Sequence, residues 1–160
     1  MERGDPVKYG RLWATGLLVG CMLGSWASAE DDGERQLVIV TQRESAIQPL
    51  TPGEVRQAFL GIPVFQDQRR VAPVLNTSSK LLYEVFLQKA IYLSADNYER
   101  QIVRRVFQYG GARPPAIQDQ AELVALLAQD GQRVAFMWHA DARRYPKLRV
   151  VQVLWRGEHR

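Results

Sequence analysis

A chain of 160 residues that is 46% hydrophobic and 24% charged has material for one full hydrophobic core and too little for two. That composition excludes a disordered or low-complexity protein except at its ends. The formal net charge of +4 is a mild basic excess that suits an anionic ligand or partner.

The chain opens on a segment that does not belong to a fold. Lys8 and Arg11 precede an apolar run over residues 12–26, Ala27-Ser28-Ala29 offers small residues at a cleavage point, and Glu30-Asp31-Asp32 follows. These are the three parts of a secretory signal peptide. A membrane-spanning helix takes roughly 18 or more apolar residues, whereas this run is shorter and broken by Gly16, Gly20 and Gly24. Residues 1–29 are therefore expected to be removed on export to the periplasm, with residues 30–36 as a flexible lead-in. Leu18-Val19-Gly20-Cys21 competes as a lipoprotein box with Cys21 as the lipidated residue, although Met22 and Leu23 prolong the apolar stretch where such a box turns polar. Cys21 is the single cysteine, so cleavage after Ala29 leaves no disulfide, thiol nucleophile or cysteine-bound metal. Export also makes nucleic acid an unsuitable partner.

The run Leu37-Val38-Ile39-Val40 is apolar throughout and rich in β-branched residues, as in a strand buried on both faces. Thr51-Pro52-Gly53-Glu54 then starts a helix with a capping box and a proline in its first turn. Val55, Ala58 and Phe59 form its apolar stripe, and Gly61 with Pro63 ends it. Residues 70–75 form a second strand, which Pro73 confines to a place near an edge or a bulge. Residues 79–91 carry Leu81, Leu82, Val85, Phe86 and Ala90 at helical spacing. Ser94-Ala95-Asp96 opens another helix, with Tyr98, Ile102, Val103, Val106 and Phe107 on one side, and Gly110-Gly111 closes it before the stiff Arg113-Pro114-Pro115 loop. Asp119 and Glu122 cap a fourth helix with Leu123, Leu126 and Leu127 on its face, ending near Gly131. Residues 134–138 and 148–154 complete the set as strands, and residues 156–160 form a tail. Strands separated by helices predict one three-layer α/β domain over residues 37–155, with a mainly parallel or mixed sheet of about four to five strands flanked by helices.

Catalytic machinery is sparse. The histidines are His139 and His159, and no nucleophile–base spacing, paired carboxylates, phosphate-binding glycine loop or metal cluster occurs. His139 stands beside Trp138 and Asp141, a base with an orienting acid at most, and a strand-end histidine satisfied by a neighbour is the commoner case. No enzyme activity and no cofactor are expected. The arginine pairs Arg69-Arg70, Arg104-Arg105 and Arg143-Arg144 read as solvated faces.

Asn76-Thr77-Ser78-Ser79-Lys80, between the second strand and the helix after it, is more informative. A helix start offers unpaired N–H donors and a partial positive charge, and short hydroxyl side chains leave room for an anion. The helices at Thr51 and Asp119 put an acid, Glu54 and Glu122, three residues after the cap. This one has no carboxylate before Glu84, and places Lys80 where the helix dipole disfavours a cation. Asn76, Thr77, Ser78 and Ser79 are thus the candidate oxyanion-binding residues; the simpler reading is that Thr77 or Ser78 caps the helix.

The segment Leu50-Thr51-Pro52-Gly53-Glu54-Val55-Arg56-Gln57-Ala58-Phe59-Leu60-Gly61, the strand Val71-Ala72-Pro73-Val74, the stretch containing Phe107, Gly110, Gly111, Pro114 and Pro115, and Gly131-Gln132-Arg133-Val134-Ala135-Phe136 together resemble the periplasmic substrate-binding proteins of phosphate-type ABC transporters. The likeness runs over residues 37–154 and falls in the second of that family's two lobes. It implies one lobe of a type II periplasmic-binding fold, phosphate or a related oxyanion as ligand, and a membrane transporter or a sensor protein as partner. Two departures accompany it. The loop at Asn76–Ser79 lacks the arginine and the Ser-Gly-Thr that hold phosphate in the full-length receptors, and their first-lobe phosphate loop has no counterpart. A single lobe is expected to bind weakly unless a second copy, as a homodimer, or another protein closes the site. The alternative is a ligand-free interaction module docking onto an envelope or sensor protein, with Tyr92, Tyr109 and Trp138 as candidate surface residues, although a place in the core is the commoner one for each.

Overall fold

The unbroken apolar run early in the chain forms the middle of a sheet. Strand β1 (Gln36–Gln42) is buried from Leu37 to Thr41, and its alternation serves two cores at once. Leu37 and Ile39 enter one apolar cluster, Val38 and Val40 the other, as the two-residue pleat of a strand covered on both faces requires. These coordinates are a computed structural model and describe residues 35–157. The signal-peptide and lipoprotein-box expectations, most of the 30–36 lead-in and His159 lie outside the described residues.

Helix α1 (Pro52–Phe59) starts as its sequence dictates. The Thr51 hydroxyl accepts from the Glu54 N–H at 3.2 Å, and the Thr51 N–H donates to the Glu54 carboxylate at 2.7 Å. Those bonds hold the Glu54 carboxyl below its ordinary pKa. The helix stops at Leu60, and Gly61 takes a left-handed φ of 77°, which a side chain would resist.

A short hairpin not foreseen from sequence follows, β2 (Phe65–Gln66) and β3 (Arg69–Arg70). Its turn residues Asp67 and Gln68 have φ of 47° and 64°, the signs a two-residue hairpin loop needs. Arg70 pairs with Phe65 across this hairpin, so the next strand, β4 (Ala72–Asn76), begins two residues later than the expected 70–75 strand. Pro73 is accommodated by position. Leu75 and Thr77 donate to Pro115 and Ile117 on the side of β5 (Ala116–Ile117). By alternation Pro73 faces the same side, and β5 begins only opposite Leu75, so no ladder donor is missing.

Helix α2 (Lys80–Phe86) runs on into a π-helical turn (Leu87–Ile91) that Tyr92 ends at φ 63°. Helix α3 (Ala95–Tyr109) is capped by Ser94. Helix α4 (Gln120–Gln129) is capped by Asp119, whose carboxylate accepts from the Glu122 N–H at 2.7 Å. Strand β6 (Arg133–Trp138), the single turn α5 (His139–Ala142) and strand β7 (Leu148–Arg156) complete the fold.

The sheet has five strands in the order β5-β4-β6-β1-β7. It is mixed in one respect only. The pair β4–β5 and the pair β4–β6 are parallel, while β1 runs against both β6 and β7. The helix-separated strands therefore share one direction, and β1 alone opposes them. Loop, helix and hairpin after β1 return the chain to the end of the sheet that β1 left, where Gln42, Gln66, Arg70, Val71 and Gln132 line one cavity of about 510 Å³.

On one face α1, α2 and α3 cover Phe59, Phe86 and Phe136. The rings of Phe86 and Phe136 stack at 3.7 Å, and Phe59 meets Phe86 edge-on at 4.7 Å. On the other face α4 packs Leu123, Val124 and Leu127 against Val74, Ala135 and Met137. The result is the three-layer α/β arrangement that the alternation of strands and helices predicts.

Candidate functional site

In open α/β sheets, ligands collect outside the carboxyl ends of the parallel strands. At that end β4 delivers Asn76 and the loop that enters α2, β6 delivers His139, and β5 lies alongside. The cavity lined by Gln42 and Gln132 is at the opposite end of the sheet.

The loop is built around a buried amide. Asn76 is 1% exposed. Its Nδ2 donates to the Phe136 carbonyl of β6 at 3.1 Å, and its Oδ1 accepts from the Ser78 N–H at 3.1 Å and from the Ser78 hydroxyl at 2.6 Å. One side chain thereby ties the end of β4 to β6 and folds the loop back on itself, the local bonding Asn favours in turns. Thr77 is held to β5, its N–H and its hydroxyl both donating to the Ile117 carbonyl, at 2.9 and 3.1 Å.

Ser79, rather than Thr77 or Ser78, is the cap of α2. It is extended at φ −134°, ψ 126°, and its hydroxyl accepts from the Leu82 N–H at 3.4 Å. The first turn contains no acid, and Lys80 reaches only Glu84, at 3.8 Å with its own side chain 89% exposed.

The four candidate residues are thus brought together, but with different tasks. Asn76, Thr77 and Ser78 spend their side-chain donors on the loop. Ser78 is nevertheless exposed, the Ser79 hydroxyl keeps its proton for another acceptor, and the N–H groups of Ser79, Lys80 and Leu81 have no acceptor among the described residues. What the loop can present to an anion is a small group of main-chain N–H donors and one hydroxyl beside a lysine. The pivotal role of Asn76 was not read from sequence; an Asn ending an apolar strand two residues before a Ser is the signal that could have shown it.

His139 and Asp141 do not form a base–acid pair: Asp141 pairs with Arg144 at 3.4 Å. Tyr92 and Tyr109 are exposed, and Trp138 is half-buried against the aromatic core. Among the described residues no group of three His, Cys, Asp or Glu side chains could hold a metal ion, and no helix is long and apolar enough to cross a membrane.

The class defined by this geometry is a three-layer α/β lobe, a mixed five-stranded sheet with a strand-to-helix loop at its carboxyl end. Comparison with solved structures gives that class a particular form: the fold matches one lobe of phosphate-type periplasmic receptors. An ABC-type phosphate transport receptor from Vibrio cholerae superimposes with a TM-score of 0.55 at 14% identity, over 75% of this chain and 46% of that one. PstS from Borrelia burgdorferi gives 0.52 at 11% identity, over 74% and 47%. A possible phosphate binding protein from Planctomyces limnophilus DSM 3776 gives 0.52 at 11% identity, over 74% and 41%. The chain spans about half the length of the structures it matches, and identities this low establish the fold. No protein-family model and no curated protein matches the chain.

Proposed function

We propose that this chain is an exported, single-lobe relative of the phosphate receptors that takes phosphate or a similar oxyanion weakly at Asn76, Thr77, Ser78 and Ser79, in the service of ABC-type phosphate uptake or sensing. The supporting observation is the acid-free start of α2, where an exposed Ser78 precedes N–H groups that have no acceptor among the described residues. Asn76 and Thr77 shape the loop, Ser79 caps the helix and offers its hydroxyl proton, and the main chain supplies the remaining donors. Such a half-site faces solvent, so its affinity is expected in the millimolar range, where few groups converge and water competes. A second copy, a transporter or a sensor protein would supply the missing wall.

Titration calorimetry with phosphate and sulfate tests this reading. Heat and thermal stabilisation are expected at millimolar phosphate, and Ser78→Asp is expected to abolish both by placing a carboxylate against the anion. No response at millimolar phosphate in the parent, or an undiminished one in Ser78→Asp, would refute it.

The second reading is a ligand-free module that docks onto an envelope or sensor protein. It is favoured by one observation: the side-chain donors of Asn76, Thr77 and Ser78 are already satisfied inside the protein. Under it Ser78→Asp leaves partner binding intact.

A further inference from the structure

The second half of α3 has a composition that the oxyanion loop does not use. The last core residue of this helix is Ile102, yet the helix continues for two more turns. Those turns carry Val103 at 47% exposure, Val106 at 38%, Phe107 at 85% and Tyr109 at 76%. At helical spacing Val103, Val106 and Phe107 share the outward side, and Arg100 and Arg104, one turn apart, line its margin. Past Tyr109 the chain turns at Gly110 and Gly111, with φ of 66° and 111°, and a Cβ built on either would meet nothing within 4 Å. Val106 and the glycine turn border Leu60 and Gly61, while Val103, Phe107 and Tyr109 project away from the core.

Charge sets its partner. From Arg100 to Arg113 the sequence contains four arginines and no carboxylate. Glu99, just before, is taken by Arg113, and Arg105 lies over the ring of Tyr109 at 5.4 Å. Arg100 bonds to the Asn97 side chain, and among the described residues neither it nor Arg104 pairs with a carboxylate. The two arginines flank an open groove of about 400 Å³ with Asn97 and Gln101. Like charges one turn apart repel, which a neighbouring anion relieves. A second copy of this chain seated on the face would oppose arginine to arginine. A phenylalanine 85% exposed near the end of a helix also suits a soft surface better than a preformed protein groove.

We infer that the α3 tip is a contact site for an anionic lipid bilayer, with Phe107, Val103 and Val106 entering the headgroup boundary and Arg100 and Arg104 on lipid phosphates. An apolar helix face edged by cations binds at that depth, by apolar burial and attraction to anionic lipid acting together.

Vesicle flotation with the chain freed of residues 1–29, the form expected after cleavage at Ala29, tests this, comparing phosphatidylcholine vesicles with vesicles that also contain phosphatidylglycerol. Without the apolar run at residues 12–26, the difference between parent and variants is the readout. Phe107→Ser is expected to weaken binding to the anionic vesicles about tenfold. Arg100→Gln and Arg104→Gln are each expected to weaken it about fivefold, and added salt should reduce the arginine contribution. The substituted side chains lie outside the core, and unchanged circular dichroism and thermal midpoint would certify the fold. The inference is overturned if parent and variants float alike on anionic vesicles. It is overturned equally if Phe107→Ser instead dissolves a dimer on gel filtration, or releases a bound protein while vesicle binding stays unchanged.

Discussion

Replacing Asn76 by alanine separates the loop's scaffold from its surface. The side chain is 1% exposed, so its three bonds, to the Phe136 carbonyl at 3.1 Å and from the Ser78 N–H and hydroxyl at 3.1 and 2.6 Å, do not count equally. Ser78 is exposed, and its two donors turn to water at little cost when Asn76 is shortened. The Phe136 carbonyl lies in a strand with no exposed residue and loses a partner that water does not replace. A buried group left short of a hydrogen bond costs about 1–3 kcal/mol, and the small cavity adds to it. Asn76→Ala should therefore destabilise by about 2–3 kcal/mol in urea unfolding monitored by circular dichroism, with the denaturant slope unchanged. Asn76→Asp refines the test. It keeps the shape and the acceptor for Ser78, but a carboxylate now faces the Phe136 carbonyl, and burial with that repulsion raises its pKa in the folded state. The folded protein then favours the protonated acid, so the deficit relative to the parent is smallest in acid and grows as pH rises through the unfolded carboxyl value of about 3.9. A loss under about 0.5 kcal/mol for Asn76→Ala, or a deficit in Asn76→Asp that shrinks as pH rises, would refute this account of the loop.

Two further outcomes follow from the core. Tyr98 is fully buried and its hydroxyl donates to the Phe59 carbonyl at 2.6 Å; burial, with Tyr83 beside it, holds its pKa far above the ordinary value. Its contribution is complete below the unfolded pKa of about 10 and is lost as pH rises above it, at about 1.4 kcal/mol per pH unit. Tyr98→Phe should cost about 1–2 kcal/mol at neutral pH and flatten the alkaline limb of a thermal-midpoint profile; an equally steep limb would show that another group controls it. Phe86, stacked on Phe136 and edge-on to Phe59, should cost about 3–5 kcal/mol when changed to alanine, measured by the same urea titration, and a loss below 1.5 kcal/mol would mean that the aromatic cluster repacks.

The parts legible from sequence are those governed by local chemistry. The box at Thr51 and Glu54, the cap at Asp119, the stop at Gly110 and the doubly buried run at Leu37 to Val40 each need only neighbours in the chain, and each is where the pattern puts it. What escaped either lacks a local signature or depends on partners far away. The hairpin at Phe65 and Arg69 has two-residue strands and a turn of Asp67 and Gln68 without the glycine that advertises such turns. The reversed direction of β1 is decided by strands over 90 residues further on. At the candidate site the run of short hydroxyl residues marks where α2 begins. Which hydroxyl caps it, and which donors the loop consumes, follow from the Phe136 and Ile117 carbonyls, and no periodicity encodes those distances.

The loop and the α3 tip lie on one covalent path, which decides whether their tests interfere. From Tyr109 the chain passes Gly110-Gly111, then Arg113 paired with Glu99, then Pro114-Pro115, and enters β5, whose Ile117 carbonyl holds Thr77 by two bonds. The loose element of this path is next to the tip and the stiff elements are next to the loop. Displacement of the tip is therefore absorbed at the glycines before it reaches Thr77, and Ile102 remains in the core throughout. With no shared hydrogen-bond partner, substitutions at Phe107 and at Ser78 should act additively. An oxyanion response that changed with Phe107→Ser would then mean that the glycine turn transmits force rather than absorbing it, and that the two surfaces form a single device.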